Sequence, residues 1–333
     1  MGTVSTTAAP APAPSRVQVF LRRVRNGDEI AHVVTMIFGA SILLVTAALV
    51  YELWIQSAQS RAKFGWSFFV TSTWDPINGI FGAWPYIYGT LVTTTVALVI
   101  AVPLGLGAAI FLSELAPPKV SSSLSFVIDL LAAVPSVIYG VLAVFLLEPV
   151  MRTTIQPFLK HTLGILPIFK ELFKGPAYGF GYLTAGIVLS IMTVPFIISV
   201  SREVLMAVPQ DQREASLGLG ATRWETTFKI VVGYARTGIL GSIFLSMARA
   251  LGETMAVTMV IGNVAKVSSS LFAPGYSIAA VIANEFADAT SELHLSSLVE
   301  LGLVLFLLTF ILNGLARVMI IATSRRGAGA SQR

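Results

Sequence analysis

The sequence contains no cysteine, only three histidines and few charged residues. Without cysteine it has neither disulfides nor thiolate sites, and His32, His161 and His294 lie too far apart to show a metal-ligand spacing. Charged residues make up 12% and hydrophobic residues 55% of the 333 positions, with a mean hydropathy of +0.80. A soluble domain cannot cover so much apolar surface, so the composition predicts an integral membrane protein.

The sequence also lacks a nucleotide-binding loop. None of its lysines is followed by serine or threonine, so the pattern GxxxxGK[ST] is absent. No pattern predicts a cofactor or a metal site. Any ATP hydrolysis is therefore expected on another chain.

Six apolar runs are long enough to cross a membrane, because a helix needs about 20 apolar residues to span a hydrocarbon core of about 30 Å. They cover about residues 30–55, 87–112, 124–147, 183–205, 238–262 and 297–322. The predicted fold class is all-α, a polytopic membrane protein of six spans. Three of the spans contain prolines that are candidate bending points: Pro103, Pro135 and Pro195. The loop of residues 148–182 is rich in glycine and proline and is not expected to add a span.

Charge distribution predicts the topology. Residues 1–28 are expected to be a disordered basic tail, residues 29–323 a transmembrane domain, and residues 324–333 a second tail. Six spans place both termini on one side, which then carries 14 of the 22 lysines and arginines, against 7 on the other side, with Arg249 within the membrane. Basic residues favour the cytoplasmic side, so both termini are predicted to be cytoplasmic.

The fifth run carries Arg249 near its midpoint and Glu253 one helical turn later. A charge at the bilayer centre costs about 2.5–3.5 kcal/mol and requires a partner, a wet cavity or a function. The two residues could form a structural ion pair, but a functional role is favoured, because a guanidinium presents a planar fork suited to a tetrahedral oxyanion. The small residues Ala248, Gly252 and Ala256 predict that the pair faces the bundle interior. Asp129, in the third run, is interpreted as a simple helix-interface residue.

Residues 206–233, between the fourth and fifth runs, regain charge and are predicted to form two short helices joined by a turn. Pro209 suits a first helical turn, Gly220 a helix end, and the segment from Thr222 to Glu225 fits a capping box. Apolar residues stand among the charges of this loop: Leu217, Leu219 and Trp224. An ordered loop of this kind is expected to present a docking surface.

The same loop resembles a known motif. The segment Glu214-Ala215-Ser216-x3-Gly220-x9-Ile230 is similar to the EAA motif, E-A-A-x3-G-x9-I-x-L-P, of permease subunits in binding-protein-dependent ABC importers. The motif's second alanine, its leucine and its proline are replaced here by Ser216, Val232 and Gly233. The resemblance implies a MetI-like permease fold and a transport subunit that is not itself an enzyme, with ATP hydrolysis on a partner chain. It also implies that Glu214, Ala215 and Gly220 couple the chain to an ATPase subunit.

Three segments look like the phosphate-specific branch of that family: residues 131–140, 208–225 and 249–263. The similarity runs from about residue 30 to residue 322. It implies a bacterial cell-membrane complex with a PstA-like companion permease, two PstB-like ATPase subunits and a PstS-like phosphate-binding protein, without nucleic acid. The basic residue of the family's pathway matches Arg249, with Glu253 as its acidic companion.

Other functions remain open from the sequence. The EAA loop equally permits an importer of sulfate or molybdate. A secondary anion carrier working alone is disfavoured, because neither an internal repeat nor a pair of helices broken by glycine or proline is visible. A membrane scaffold or phosphate-sensing partner without transport would leave Arg249 unexplained.

Overall fold

The computed structural model describes residues 28–167 and 169–330, with side chains for residues 31–167 and 169–321. The predicted disordered basic tail lies outside the described residues except for Asp28, which begins the first helix. Residues 331–333 of the second predicted tail also lie outside them. By contacts the chain divides into two units, residues 1–55 and 56–333.

The described chain is built from helices. In chain order they are α1 (Asp28–Gln56), α2 (Ala58–Phe64), α3 (Ser67–Val70), α4 (Trp84–Leu115), α5 (Pro118–Ala132), α6 (Ser136–Ile165), α7 (Tyr182–Met206), α8 (Gln210–Gly218), α9 (Arg223–Leu251), α10 (Met255–Val260), α11 (Ile278–Glu285) and α12 (Glu292–Ala330). Six of them, α1, α4, α6, α7, α9 and α12, are long and apolar enough to cross a membrane. The prediction of an all-α protein with six spans is confirmed.

Helix α7 is the centre of the second unit. Two thirds of its apolar stretch, 67%, is buried, and it packs against α4, α5, α9 and α10. It approaches α4 closely because Gly186 has no side chain: a Cβ there would lie 2.4 Å from a methyl carbon of Val96. Pro195 lies inside α7 and Pro103 inside α4, and neither proline ends its helix.

The third predicted span differs from the structure. The helix is interrupted at residues 133–135, where Pro135 lacks an N–H and restricts Val134, and it then continues as α6 to Ile165. The prediction of a loop from residue 148 was therefore wrong as far as Ile165. Pro149 and Pro157 are compatible with helix because each lies at the start of a helical segment that follows a wider π turn.

An aromatic cluster packs around the beginning of α4. Phe81 and Tyr86 are buried around Trp74, whose indole N–H donates to Oε2 of Glu285 at 2.8 Å. A short helix, α11, follows residue 277. Its first turn is buried against this cluster.

Candidate functional site

The fifth predicted span is present, but its helix is interrupted. Helix α9 ends at Leu251 and α10 begins at Met255, so the prediction of one continuous helix over residues 238–262 was wrong. Gly252, a weak helix former, caps the end of α9. Across the break, Oε1 of Glu253 accepts a hydrogen bond from the backbone N–H of Ala256 at 3.4 Å.

Helices α9 and α10 together follow α7 over nearly its whole length. The hydroxyls of Ser242 on α9 and Ser201 on α7 are 2.7 Å apart. At the other end, the backbone N–H of Gly181 donates to the carbonyl of Val260 at 3.0 Å. The break between α9 and α10 therefore lies beside the middle part of α7.

Arg249 lies in the last turn of α9. Its guanidinium lies beside the middle of the neighbouring helix α7. The guanidinium carbon is 5.8 Å from the ring centroid of Phe196, a cation–π contact. Phe196 comes 14 residues after the first residue of α7 and 10 residues before the last. At a rise of 1.5 Å per residue, the guanidinium lies about 15–20 Å from either end of this helix.

Arg249 does not face the interior of this chain. Its side chain is exposed, whereas that of Glu253 is half-buried, so within the single chain the expectation of an interior position is not met by Arg249. The stripe of small residues does not form one helix face, because the break falls within it. Ala256 is instead used in packing against α6, where a Cβ on Gly140 would lie 3.1 Å from the Cα of Ala256.

The alternative of a structural ion pair is not realised. Among the ion pairs of residues 31–167 and 169–321, none joins Arg249 to Glu253. The Glu253 carboxylate is directed to the backbone of its own break. Arg249 thus presents an exposed positive charge beside an interrupted helix.

A second break and a second charge lie close by. Oδ1 of Asp129, on α5, accepts a hydrogen bond from the hydroxyl of Ser199 at 3.0 Å, and Ser199 follows Phe196 by one turn of α7. Asp129 is exposed and precedes the interruption at residues 133–135. Sequence reasoning treated Asp129 as an interface residue. The sequence feature that could have indicated a role for Asp129 is a carboxylate within an apolar run, six residues before Pro135.

Both interruptions therefore meet beside the middle of α7. Helices α6 and α10, which follow the two breaks, pack against each other. The hydroxyl of Tyr139 donates to the carbonyl of Leu131 at 2.8 Å, so a backbone group freed by the α5–α6 break is hydrogen bonded. The sequence disfavoured a secondary carrier because no pair of interrupted helices was visible in it. The structure has such a pair, so that argument against a secondary carrier no longer holds.

The loop after α7 forms an ordered projection, as predicted. Helix α8 is followed by Gly220, whose φ of +88° is a conformation that favours glycine. The capping box is present: the N–H of Glu225 donates to the Thr222 hydroxyl at 3.2 Å, and the N–H of Thr222 donates to Oε2 of Glu225 at 3.0 Å. Thr222 therefore starts a helix, α9.

The second helix of the loop was expected to be short. Instead it continues into the fifth span. Gly233, which stands where the motif has proline, lies inside α9, so no proline interrupts it. The motif residues Glu214, Ala215 and Gly220 are all exposed. So are the apolar residues of the loop: Leu217, Leu219 and Trp224.

Comparison with known sequences identifies the family. The family described as "Binding-protein-dependent transport system inner membrane component" matches residues 101–321, more than half of the chain. Phosphate transport system permease protein PstC of Mesorhizobium japonicum is 43% identical over 96% of this chain and 97% of the relative. PstC of Xylella fastidiosa (strain Temecula1) is 47% identical over 86% of this chain and 87% of the relative. PstC 2 of Mycobacterium tuberculosis is 35% identical over 93% of this chain and 97% of the relative.

Comparison with solved structures agrees on the fold. A chain of the inward-facing MetNI methionine ABC transporter superposes with a TM-score of 0.52 at 16% identity, covering 72% of this chain and 96% of that chain. The MetI-like fold expected from the EAA resemblance is thereby confirmed. The chain belongs to the binding-protein-dependent transport system inner membrane component family, as a multi-pass permease subunit of an ABC importer.

Proposed function

We propose that the chain forms one half of a phosphate pathway in an ATP-driven importer of a bacterial cell membrane. The observation that carries this proposal is the exposed guanidinium of Arg249 at mid-length of α7, beside two interrupted helices. The names of the relatives support phosphate as the solute. The other half would come from a PstA-like companion permease, with two PstB-like ATPase subunits and a PstS-like phosphate-binding protein completing the complex.

The exposure of Arg249 supports a shared cavity. An arginine or aspartate exposed to lipid at mid-depth costs about 2.5–3.5 kcal/mol on insertion scales. This chain exposes both Arg249 and Asp129 beside the middle of α7. A second subunit that covers this face and leaves a wet space between the two chains removes that cost.

The charges around the site suit passage rather than tight binding. The guanidinium offers charge-assisted hydrogen bonds to phosphate oxygens. Glu253, in the break between α9 and α10, and Asp129, on α5, carry carboxylates that repel the same anion. This repulsion shortens the time that phosphate stays bound. Conduction requires that the solute be released as well as captured.

Replacing Arg249 tests the site. We expect Arg249→Met to lower phosphate uptake by at least about 10-fold, because it removes charge-assisted hydrogen bonds worth roughly 1.5–3 kcal/mol. The measurement is uptake of radiolabelled phosphate by proteoliposomes that contain the assembled complex. Arg249→Lys, which keeps the charge and loses the fork, should fall between Arg249→Met and the unaltered chain.

The matched control is Arg317→Met, which removes an exposed arginine from α12 and should leave uptake unchanged. Assembly is checked by co-purification of the partner subunits with the tagged chain. Normal uptake by an assembled Arg249→Met complex would remove Arg249 from the pathway.

A competition experiment tests the solute. In the complex with its binding protein, we expect phosphate to stimulate ATP hydrolysis, while sulfate and molybdate do not. An importer for either of those oxyanions would show the reverse order. Uptake by this chain alone, without any ATPase subunit, would instead favour a secondary carrier.

The projection formed by α8 is proposed to dock the ATPase subunit through Glu214, Ala215 and Gly220. On this proposal residues 29–323 are the permease domain, with the coupling loop at about residues 206–233. The tails, residues 1–28 and 324–333, are then cytoplasmic with both termini. Pro103, Pro135 and Pro195 remain proposed bending points, and Pro135 adjoins a break that is already present.

Reversing one charge tests the docking surface. Glu214→Lys places a cation on the exposed face of α8 and should reduce both co-purification of the ATPase subunits and phosphate-stimulated ATP hydrolysis. The control is Glu171→Lys, the same charge reversal at an exposed carboxylate between α6 and α7. Unchanged co-purification and hydrolysis in Glu214→Lys would contradict the docking role.

A further inference from the structure

A partly buried arginine joins the proposed docking helix to the end of α4. Nη2 of Arg213, on α8, is 2.9 Å from Oε1 of Glu114, and Nε of Arg213 is 3.3 Å from Oε2 of the same carboxylate. The two side chains are only 14% and 9% exposed. The contact is thus a two-pronged, largely dehydrated ion pair.

The same guanidinium also holds the end of α7. Nη2 of Arg213 donates to the carbonyl of Leu205 at 2.9 Å, and Nη1 donates to the carbonyl of Val208. Leu205 lies in the last turn of α7, where carbonyls lack partners inside the helix and an arginine is favoured, and Val208 lies two residues past the helix end. Arg213 therefore fixes α8 against α7 and α4 simultaneously.

The direction of the side chains on α8 separates two roles. Arg213 and Ser216, one turn apart, are partly buried, and the Ser216 hydroxyl lies 2.9 Å from that of Thr226 at the start of α9. Glu214 and Ala215 point to the exposed side. One face of α8 is thus open to a partner, while the opposite face is attached to three helices of the chain.

We propose that the Arg213–Glu114 pair transmits movement of α8 to α4 during transport, an inference that rests on the proposed docking role of α8. Helix α8 is connected to α7 and α9 by short stretches of chain, but α4 is remote from it in sequence. Separating the pair would leave two largely dehydrated charges without their ion-pair partners, which is unfavourable, so α4 moves with α8. Because α4 packs along α7, this movement reaches the helix that holds Phe196 beneath Arg249.

The test compares transport with ATP hydrolysis in the same proteoliposomes holding the full complex. Arg213→Met and the nearly isosteric Glu114→Gln should keep the ATPase subunits bound and active, while phosphate transported per ATP falls at least about 10-fold, within the usual range of coupling between sites. The double variant of Arg213→Met with Glu114→Gln should lower the ratio no further than Arg213→Met alone, because both substitutions remove the same ion pair. Arg152→Met, which breaks an Arg–Glu pair at 3.5 Å on α6, serves as the control and should keep the normal ratio.

The link is overturned if Arg213→Met or Glu114→Gln retains the normal ratio, even with a lowered melting temperature, since that result indicates a structural role only. A double variant in which the two losses multiply also contradicts it. Failure of the proposed docking role is seen separately, as unchanged ATPase binding and hydrolysis in Glu214→Lys. A normal ratio in Glu114→Gln together with reduced ATPase binding in Glu214→Lys would overturn the link alone.

Discussion

Backbone groups freed by a break in an apolar helix must find hydrogen-bond partners within the protein, and this requirement organises the chain around α7. The break between α5 and α6 is bridged by the Tyr139 hydroxyl, and that between α9 and α10 by the Glu253 carboxylate. Both interrupted segments pack beside α7, which continues through Pro195 without a break. A rigid central helix thereby holds irregular backbone and the Arg249 charge at one level.

Helix α7 contacts both the proposed phosphate site and the proposed docking helix. Phe196, in the middle of α7, lies beneath the guanidinium of Arg249, while the carbonyls at the end of α7 accept hydrogen bonds from Arg213. Arg213 places a charge where it is paired and mostly buried, whereas Arg249 is exposed and without an ion-pair partner among the described residues. The paired arginine suits a mechanical connection, and the exposed one suits a solute that carries negative charge.

Local patterns predicted much of this structure. The apolar runs predicted six spans, and the segment from Thr222 to Glu225 predicted the start of α9, because both signals depend on residues close in sequence. The interruption at Gly252 and the helix from residue 148 to Ile165 were missed, since the first depends on packing around α7 and the second on π turns that accommodate proline. Contacts between distant elements, such as Arg213 with Glu114, leave no mark in a single sequence.

The most direct test of the account asks whether water reaches the face that carries Arg249 in the assembled complex. The chain has no cysteine, so Leu245→Cys introduces a single thiol one turn before Arg249, at a position 54% exposed in the isolated chain. With cysteine-free partners, this thiol should react with a charged, water-soluble reagent, and phosphate should slow the reaction. Phe310→Cys, 68% exposed on α12, serves as the comparison and should react only with a lipid-soluble reagent. If Leu245→Cys behaves like Phe310→Cys, Arg249 does not border an aqueous path and the account is contradicted.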